Sequence, residues 1–360
     1  VFRQRLPLAG DHGWVIPSPR TATFAHDCRL LLLGCAWDSS LKIFQVPRST
    51  DCTLLLSVVY HRAAISCIGL SEREEVLLLG SRDTNVTLWR LQELTSGGGP
   101  SLSSSVGVGR IAKSLARPEF VFSEHSDEVT AVACNVDLDI VASASADATI
   151  VLRSLRTGSY IRTIMHDQHR PGGLQVSSQG GGADGDVCDD TSALFSSCSF
   201  TELVITAKNG FIISVFEKCY PGGSGVESEL LLHSINGRLL HTVCVDSPMS
   251  QPLRLNGPAG GGGGALAWAA GRLTELLLCI EGTEIVVRDL HEQPLHDLVR
   301  FQAQTMASGV AASAGSVGGS LGVSIALADD GHVYVGLSDG TVLRQTVSGV
   351  IPRILRRRAP

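Results

Sequence analysis

Short apolar runs broken by polar turn clusters recur along this chain. The stretches at 30–33, 76–79, 139–143, 203–207 and 276–280 are Leu-rich or β-branched, which predicts strands. Turns reading AWDSS, SRDTN, SADAT, AKNG and EGTE follow them, and SDGT stands near the end. Each is rich in the Gly, Asn and Asp that tolerate tight hairpin geometry. A second apolar strand then follows each turn, at 41–46, 86–91, 149–155, 211–216, 284–290 and 341–347. Six hairpins of one kind are therefore predicted. Strand-like approaches such as 130–134 and 324–327 precede them, and further apolar stretches at 53–59, 159–164 and 295–301 come after. The predicted unit is thus four antiparallel strands. No window long enough for a helix pair carries a sustained 3.6-residue apolar stripe, so a helical solenoid is not supported.

One unit is written twice. HRAAISCIGLSEREEVLLLGSRDTNVTLWRL, beginning at His61, returns as HSDEVTAVACNVDLDIVASASADATIVLRSL, beginning at His125, with every landmark displaced by 64 residues. His61 matches His125, Ser81 matches Ser145, and Asp83 matches Asp147. A fixed interval between polar landmarks, set in alternating apolar segments, is the mark of a repeat architecture. Units this small cannot bury both faces alone, so each is expected to pack on its neighbours. Four antiparallel strands repeated radially is the β-propeller pattern, and the expected fold is all-β. Between the units, 95–109, 166–190, 256–264 and 306–320 are rich in Gly and Ser and are expected to be flexible insertions in one propeller spanning 1–360.

Composition narrows the partners. Hydrophobic residues make up 44% of the chain, enough for a core, while charged residues make up only 18% and the net charge is −6. No global positive field exists to draw nucleic acid or an anionic membrane, so neither is expected as a direct partner. The basic cluster of Arg353, Arg356, Arg357 and Arg358 is terminal and reads as a solvated tail. Ten cysteines occur without a CxxC pair or a regular framework, which fits a reducing compartment. The opening VFRQRLPLAG has neither an initiator Met nor a signal-peptide pattern, so the sequence is expected to be a fragment of a longer chain.

Reactive chemistry finds few candidates. His166 and His169 are three apart, but they lie in a Gly-rich stretch with no companion ligand at a defined spacing. His233 and His241 flank a turn and read as surface or edge residues. Asp184, Asp186, Asp189 and Asp190 do not match a calcium loop. GVGRIA at 107–112 lacks a buried strand before it and a helix after it, and the Gly run at 260–264 lacks the lysine of a phosphate loop. His61, Ser81 and Asp83 contain the residue types of a hydrolytic triad. A nucleophile is needed once per site, however, and the same trio recurs in the next unit. No catalytic residue, cofactor site or metal site is expected.

His61, Ser81, Asp83 and Trp89 fall at the offsets found in WD-repeat propellers, and this resemblance implies a structural hydrogen-bond chain running Asp, His, hydroxyl, indole. The next unit keeps His125, Ser145 and Asp147 but places Arg153 at the Trp position. The first unit has Trp37 and Asp38 in its turn, and the fourth has Asn209 where Asp is expected. The run LLGCAWDSSLKIF, then HRAAISCIGLSE with GSRDTNVTLW, EHSDEVTAVAC with RTGSYIRTI, and SINGRLLHTV is similar to the C-terminal propellers of BEACH-domain proteins, the neurobeachin and lipopolysaccharide-responsive beige-like anchor protein family. That resemblance implies a non-enzymatic interaction scaffold in vesicle traffic, membrane-protein sorting, or lysosome and autophagy-related events. It also implies a cytoplasmic location, peripheral on intracellular membranes, with membrane association conferred by other domains of the parent chain. The alternative is a generic WD-repeat adaptor, such as a ubiquitin-ligase substrate receptor or a complex subunit. Propellers of the resembled type generally have seven blades, with 1–20 and 347–360 sharing a closing one, and a six-bladed ring is the other arrangement. Proteins are expected to dock through loops on the propeller faces, where Arg62, Arg82, Asp127 and Glu128 are the candidate contact residues.

Overall fold

The computed structural model describes residues 19–25, 29–35, 38–46, 52–71, 75–91, 113, 115–166, 197–206, 209–220 and 226–245. Beyond these it describes 254–256, 265–266, 276–281, 284–289, 296–302, 322–327, 332–337 and 342–346. The predicted insertions at 95–109 and 306–320, most of 166–190 and 256–264, and the proposed closing segments except Pro19 and Arg20 lie outside them.

Among the described residues six antiparallel sheets follow one another along the chain. The first holds β1 (Ala22–Ala25), β2 (Leu30–Gly34), β3 (Ser40–Gln45) and β4 (Thr53–Val59), and the second β5 (Ile65–Leu70), β6 (Val76–Ser81), β7 (Val86–Arg90) and β8 (Phe120–Phe122). The third holds β9 (Val129–Asn135), β10 (Ile140–Ser145), β11 (Thr149–Ser154) and β12 (Tyr160–Met165), and the fourth β13 (Ser197–Ile205), β14 (Ile212–Cys219), β15 (Val226–His233) and β16 (Leu239–Val245). The fifth runs β17 (Arg254–Asn256), β19 (Leu276–Glu281), β20 (Glu284–Asp289) and β21 (His296–Gln302), with β18 (Ala265–Leu266) also paired to β19. The sixth comprises β22 (Gly322–Leu327), β23 (His332–Leu337) and β24 (Val342–Thr346). The first strands of successive sheets are spatial neighbours: β1 meets β5, β5 meets β9, β9 meets β13, β13 meets β17 and β17 meets β22. Each sheet is a meander whose strands step outward from that inner row.

Burial follows this geometry. β6 and β10 are buried at every position, because a second strand is flanked by neighbours in its own sheet and covered by sheets on both faces. Their sequences, VLLLGS and IVASAS, are accordingly near-continuous in small and apolar residues. β4 and β12 lie at sheet edges and are largely exposed. The core is divided into slabs between sheets. Leu32 and Ile43 of the first sheet pack with Ile68 and Leu79 of the second, while Leu78 and Leu88 on the other face of the second meet Val129 and Val141 of the third. Ile150 and Ile164 of the third meet Phe200 and Phe216 of the fourth, and Val215 and Leu230 meet Leu277 and Cys279 of the fifth.

Close approach of the inner strands demands small residues. A Cβ on Gly80 of β6 would lie 2.5 Å from Cys67 Sγ and 2.6 Å from Val129 Cγ1, so even one methyl group forces the second and third sheets apart. Gly80→Ala is expected to cost about 1–3 kcal/mol, the usual penalty of overpacking. Denaturant unfolding checks this, and a midpoint equal to that of the parent protein would show that the slab is loosely packed.

One of the predicted hairpins is of another kind. The AKNG turn joins β13 to β14, the first and second strands of its sheet, whereas the other five turns join second to third strands. Asn209 therefore occupies an inner turn rather than the position of Asp83 and Asp147. Apolar alternation alone does not distinguish which pair of a four-stranded meander a tight turn connects.

Candidate functional site

The turns after β2, β6 and β10 share one construction. Asp38, Asp83 and Asp147 each accept a hydrogen bond through Oδ1 from the backbone N–H two residues on, of Ser40 at 3.0 Å, Asn85 at 3.1 Å and Thr149 at 3.0 Å. The residue between them takes a left-handed backbone, with φ of 55° at Ser39, 68° at Thr84 and 61° at Ala148. A carboxylate that bonds its own turn offsets the steric cost of that conformation.

In the second sheet the loop arriving from β4 is tied to this turn. Asp83 Oδ2 accepts from Arg62 N–H at 2.8 Å and lies 3.1 Å from His61 Nδ1. His61 Nε2 is 3.0 Å from Thr87 Oγ1, which also accepts from Trp89 Nε1–H at 3.0 Å. With Nδ1–H donating to the carboxylate, the Thr87 hydroxyl donates to Nε2 and accepts from the indole, so every member is satisfied by a neutral imidazole. Burial holds His61 below its ordinary pKa against the pull of Asp83. Burial alone would raise Asp83, but the N–H of Arg62, the His61 ring and the N–H of Asn85 together lower it.

Thr87, not Ser81, is thus the hydroxyl in the chain. Ser81 Oγ donates to the carbonyls of Ala63 and Ala64, at 3.1 and 2.9 Å, and accepts from Asp83 N–H at 3.1 Å. It fastens the turn from its other side. Ser145 does the same in the third sheet, donating to Asp127 O and accepting from Asp147 N–H, each at 3.1 Å.

The third sheet solves the same problem with other residues. His125 Nδ1 lies 3.2 Å from Asp147 Oδ2, which also accepts from Ser126 N–H at 2.9 Å. Val151 stands where Thr87 does, so His125 Nε2 turns to Ser143 Oγ on β10 at 2.8 Å. Desolvation would raise Asp147, yet the hydrogen bonds from His125 and Thr149 bring it well below the usual carboxylate range. Arg153, in the place of Trp89, lies 4.6 Å above the Phe122 ring with its Nε 3.1 Å from Glu124. In the first sheet Lys42 takes the Thr87 place and bonds Asp38 and Ser40 Oγ directly, with Phe44 in the Trp place.

The candidate contact residues gather at the end where loops enter the second and third sheets. Arg62, Arg82 and Asp127 are exposed and Glu128 is half-buried. Arg82 Nε reaches Glu128 Oε1 at 3.0 Å across the sheet boundary, while Asp127 Oδ1 accepts from Glu128 N–H at 2.6 Å.

Buried charge was not expected from the sequence. Lys218 on β14 and Glu229 on β15 are both buried and bonded to each other, and His166 Nε2 adds a bond to Glu229 Oε2 at 2.9 Å. The His166 ring stacks on Phe216 with centroids 4.0 Å apart. His166 is therefore a packed member of the slab between the third and fourth sheets; His169 and the aspartates at 184–190 lie outside the described residues. The signal that marks the pair is charge of opposite sign at inward positions of two strands, in IISVFEKC and VESELLLH. His233 is buried on β15, which is paired on both sides, in contrast to the surface or edge placement expected, whereas His241 is exposed. Arg288 is buried beside Asp297 at 2.8 Å, and Arg20 reaches the buried Glu202 at 3.0 Å. Glu227, Glu229 and Cys244 bring ligand-type atoms within 4.8 Å of one another, but the Lys218 ammonium already supplies the cation there, bonded to Glu229 and 3.9 Å from Glu227. Among the described residues no helix is long and apolar enough to cross a membrane.

Comparison with known proteins places this frame. A family model described as the neurobeachin beta propeller domain matches residues 18–215. BEACH domain-containing protein B of Arabidopsis thaliana is 28% identical over 214 residues, which are 57% of this chain and 8% of that protein. BEACH domain-containing protein lvsE of Dictyostelium discoideum is 23% identical over 186 residues, 51% of this chain and 7% of that protein. The chain thus spans only a small part of the length of these relatives. A chain of the crystal structure of the mitotic checkpoint complex superposes with a TM-score of 0.55 at 14% identity, covering 91% of this chain and 73% of that one, which speaks to fold alone. Sheets of antiparallel strands stacked along an inner row, turns fixed by Asp and His, and a family match over more than half the sequence agree: the chain belongs to the neurobeachin β-propeller family.

Proposed function

We propose that this propeller is a non-enzymatic protein–protein interaction scaffold within a BEACH-type protein, acting in vesicle traffic and membrane-protein sorting, with lysosome and autophagy-related events in the same sphere. One observation carries the reading. The polar groups that could resemble a reaction centre are consumed internally, since Asp83, His61, Thr87 and Ser81 fasten a loop to a turn, and their equivalents do the same in the next sheet. What remains outward at that end is a set of charged side chains, Arg62, Arg82, Asp127 and Glu128. The Arg82–Glu128 pair is solvent-exposed and worth little to stability, so it is available to a partner. Binding in this reading is cytoplasmic, through the propeller face, and membrane contact belongs to other parts of the parent protein.

The test is a comparison of proteins captured from cell extract by the intact parent chain and by the same chain carrying Arg62→Glu and Arg82→Glu. Loss of a discrete set of partners, with thermal unfolding unchanged, is the expected result. An identical partner set for both chains would refute the assignment of this face.

A further inference from the structure

A second surface lies along β12, the outer edge strand of the third sheet. Between β12, the edge of the third sheet, and the β15–β16 hairpin of the fourth runs a groove of about 300 Å³. Arg162, Ile164 and His166 line one wall, and Leu231, His233 and Leu239 the other. Its floor is the slab that holds Ile164 and Leu231. Its rim is apolar as well as basic, since Met165, Leu239 and Leu240 are exposed there despite their size. The volume is at the small end of what encloses a whole ligand and suits a few side chains of an extended segment.

Among the described residues the charge of the groove is one-sided. Among the described residues no carboxylate belongs to its lining, and Glu229, which is bonded to the lining residue His166, is held by Lys218 as well. Arg162 lays its side chain across Gly237, where an added Cβ would lie 2.7 Å from Arg162 Cδ, so its cation is carried from one sheet to the turn of the next. Arg238 follows Gly237 in that turn and is exposed beside the groove rather than part of its lining. Among the described residues neither arginine has an acidic partner. A cation beside the exposed Leu239, with no counter-charge among the described residues, is complementary to a segment that brings both a carboxylate and an aliphatic side chain.

We propose that the groove between the third and fourth sheets is a docking site for an extended acidic–aliphatic peptide segment of a partner protein, with Arg162 and Arg238 receiving its carboxylates and the Leu231–Leu239 trough its aliphatic side chain. Specificity follows from the two requirements together, since an acidic segment without an apolar side chain leaves the trough wet, and a basic one meets two arginines.

Fluorescence anisotropy of the intact protein with the labelled peptide Asp-Asp-Leu-Leu-Glu-Asp tests this, with Lys-Lys-Leu-Leu-Lys-Lys as control. Saturable binding of the acidic peptide alone is expected, weakened about tenfold or more by Arg162→Glu and by Leu239→Glu, and less by Arg238→Glu. All three positions are exposed, and unchanged thermal unfolding of each variant confirms that the fold is intact. Equal binding of both peptides, binding indifferent to all three substitutions, or none with the protein at about 1 mM would overturn the proposal. Anionic phosphatidylserine vesicles retained through Arg162 while the peptide is not would assign the groove to a lipid surface instead. Peptide binding that emerges only when Asp184, Asp186, Asp189 and Asp190 are changed to Asn would assign it to the chain's own acidic run, and the external partner would be excluded.

Discussion

Glu229→Ala is expected to destabilise the protein by about 3–5 kcal/mol, because removing one member of a buried ion pair leaves the other charge in a medium that solvates it poorly. Lys218 is buried on β14, bonded to Glu229 and 3.9 Å from Glu227. The same substitution takes from His166 the acceptor that orients its ring over Phe216. Glu229→Gln keeps the shape and an acceptor oxygen, and is expected to lose less. Acid supplies an independent reading of the same group. The hydrogen bond from His166 and the contact with Lys218 bring the Glu229 carboxyl down from 4.5 to about 2. Its folded pKa lies below its unfolded one, so its contribution is present above the unfolded value and is lost as pH falls from 4.5 towards about 2. Asp83 and Asp147 are lowered too and add to the loss in the acid range. His61, lowered by burial, acts earlier: the unfolded ring takes up a proton as pH drops below about 6.5, while the folded ring resists it. Denaturant titrations of the parent protein and Glu229→Gln across this range are expected to converge as the acid limit is approached. A gap between them that stays constant from about pH 7 to about pH 3 would show that Glu229 is not the group whose ionisation is linked to folding.

Much of the architecture is legible in the sequence because propeller sheets are local. Each is a meander closed within a few dozen residues, so the interval from His61 to Asp83 and from His125 to Asp147 survives as a repeat. The pattern is weaker where one position has several physical solutions. The hydroxyl that meets the histidine comes from Thr87 on the third strand in one sheet and from Ser143 on the second strand in the next, while in the first sheet Lys42 replaces hydroxyl and imidazole together. A repeat matched by residue type finds Ser81 and Ser145, which recur at equal spacing, and passes over Thr87, whose equivalent is Val151. Only the direction of each side chain separates a serine that bonds the carbonyl of Ala64 from one that bonds an imidazole.

Contacts between sheets are less legible still. Lys218 and Glu229 look like surface charges in a strand until both faces of the fourth sheet are covered. The β15–β16 turn reads as SINGRLL, a family-like string, and nothing in its composition says that Gly237 receives Arg162 from a different sheet. The register of one sheet against the next is set by packing of opposite faces, and sequence periodicity within each sheet carries no record of it.

Trp89→Ala is expected to cost about 3–5 kcal/mol, since it removes one of the largest fully buried side chains in the protein. The indole packs in the slab between the first and second sheets, meets the Tyr60 ring edge-on at 5.5 Å, and donates to Thr87 Oγ1. Truncation therefore opens a cavity and strips the hydroxyl that satisfies His61 of its second bond. The two contributions are separable. Trp89→Phe deletes the N–H but keeps an aromatic ring in the slab, and is expected to lose about 1–3 kcal/mol, in the range for a buried hydrogen-bond partner removed. If the Asp83–His61–Thr87–Trp89 chain acts as one unit, Trp89→Phe and Thr87→Val combined will cost less than the sum of the two alone, because each already breaks the bond the other removes. Denaturant midpoints of the four proteins decide it. Strict additivity would mean that the indole contributes by volume alone, and a Trp89→Ala protein as stable as its parent would contradict the close packing of the first and second sheets on which the rigidity of the Arg62 loop depends.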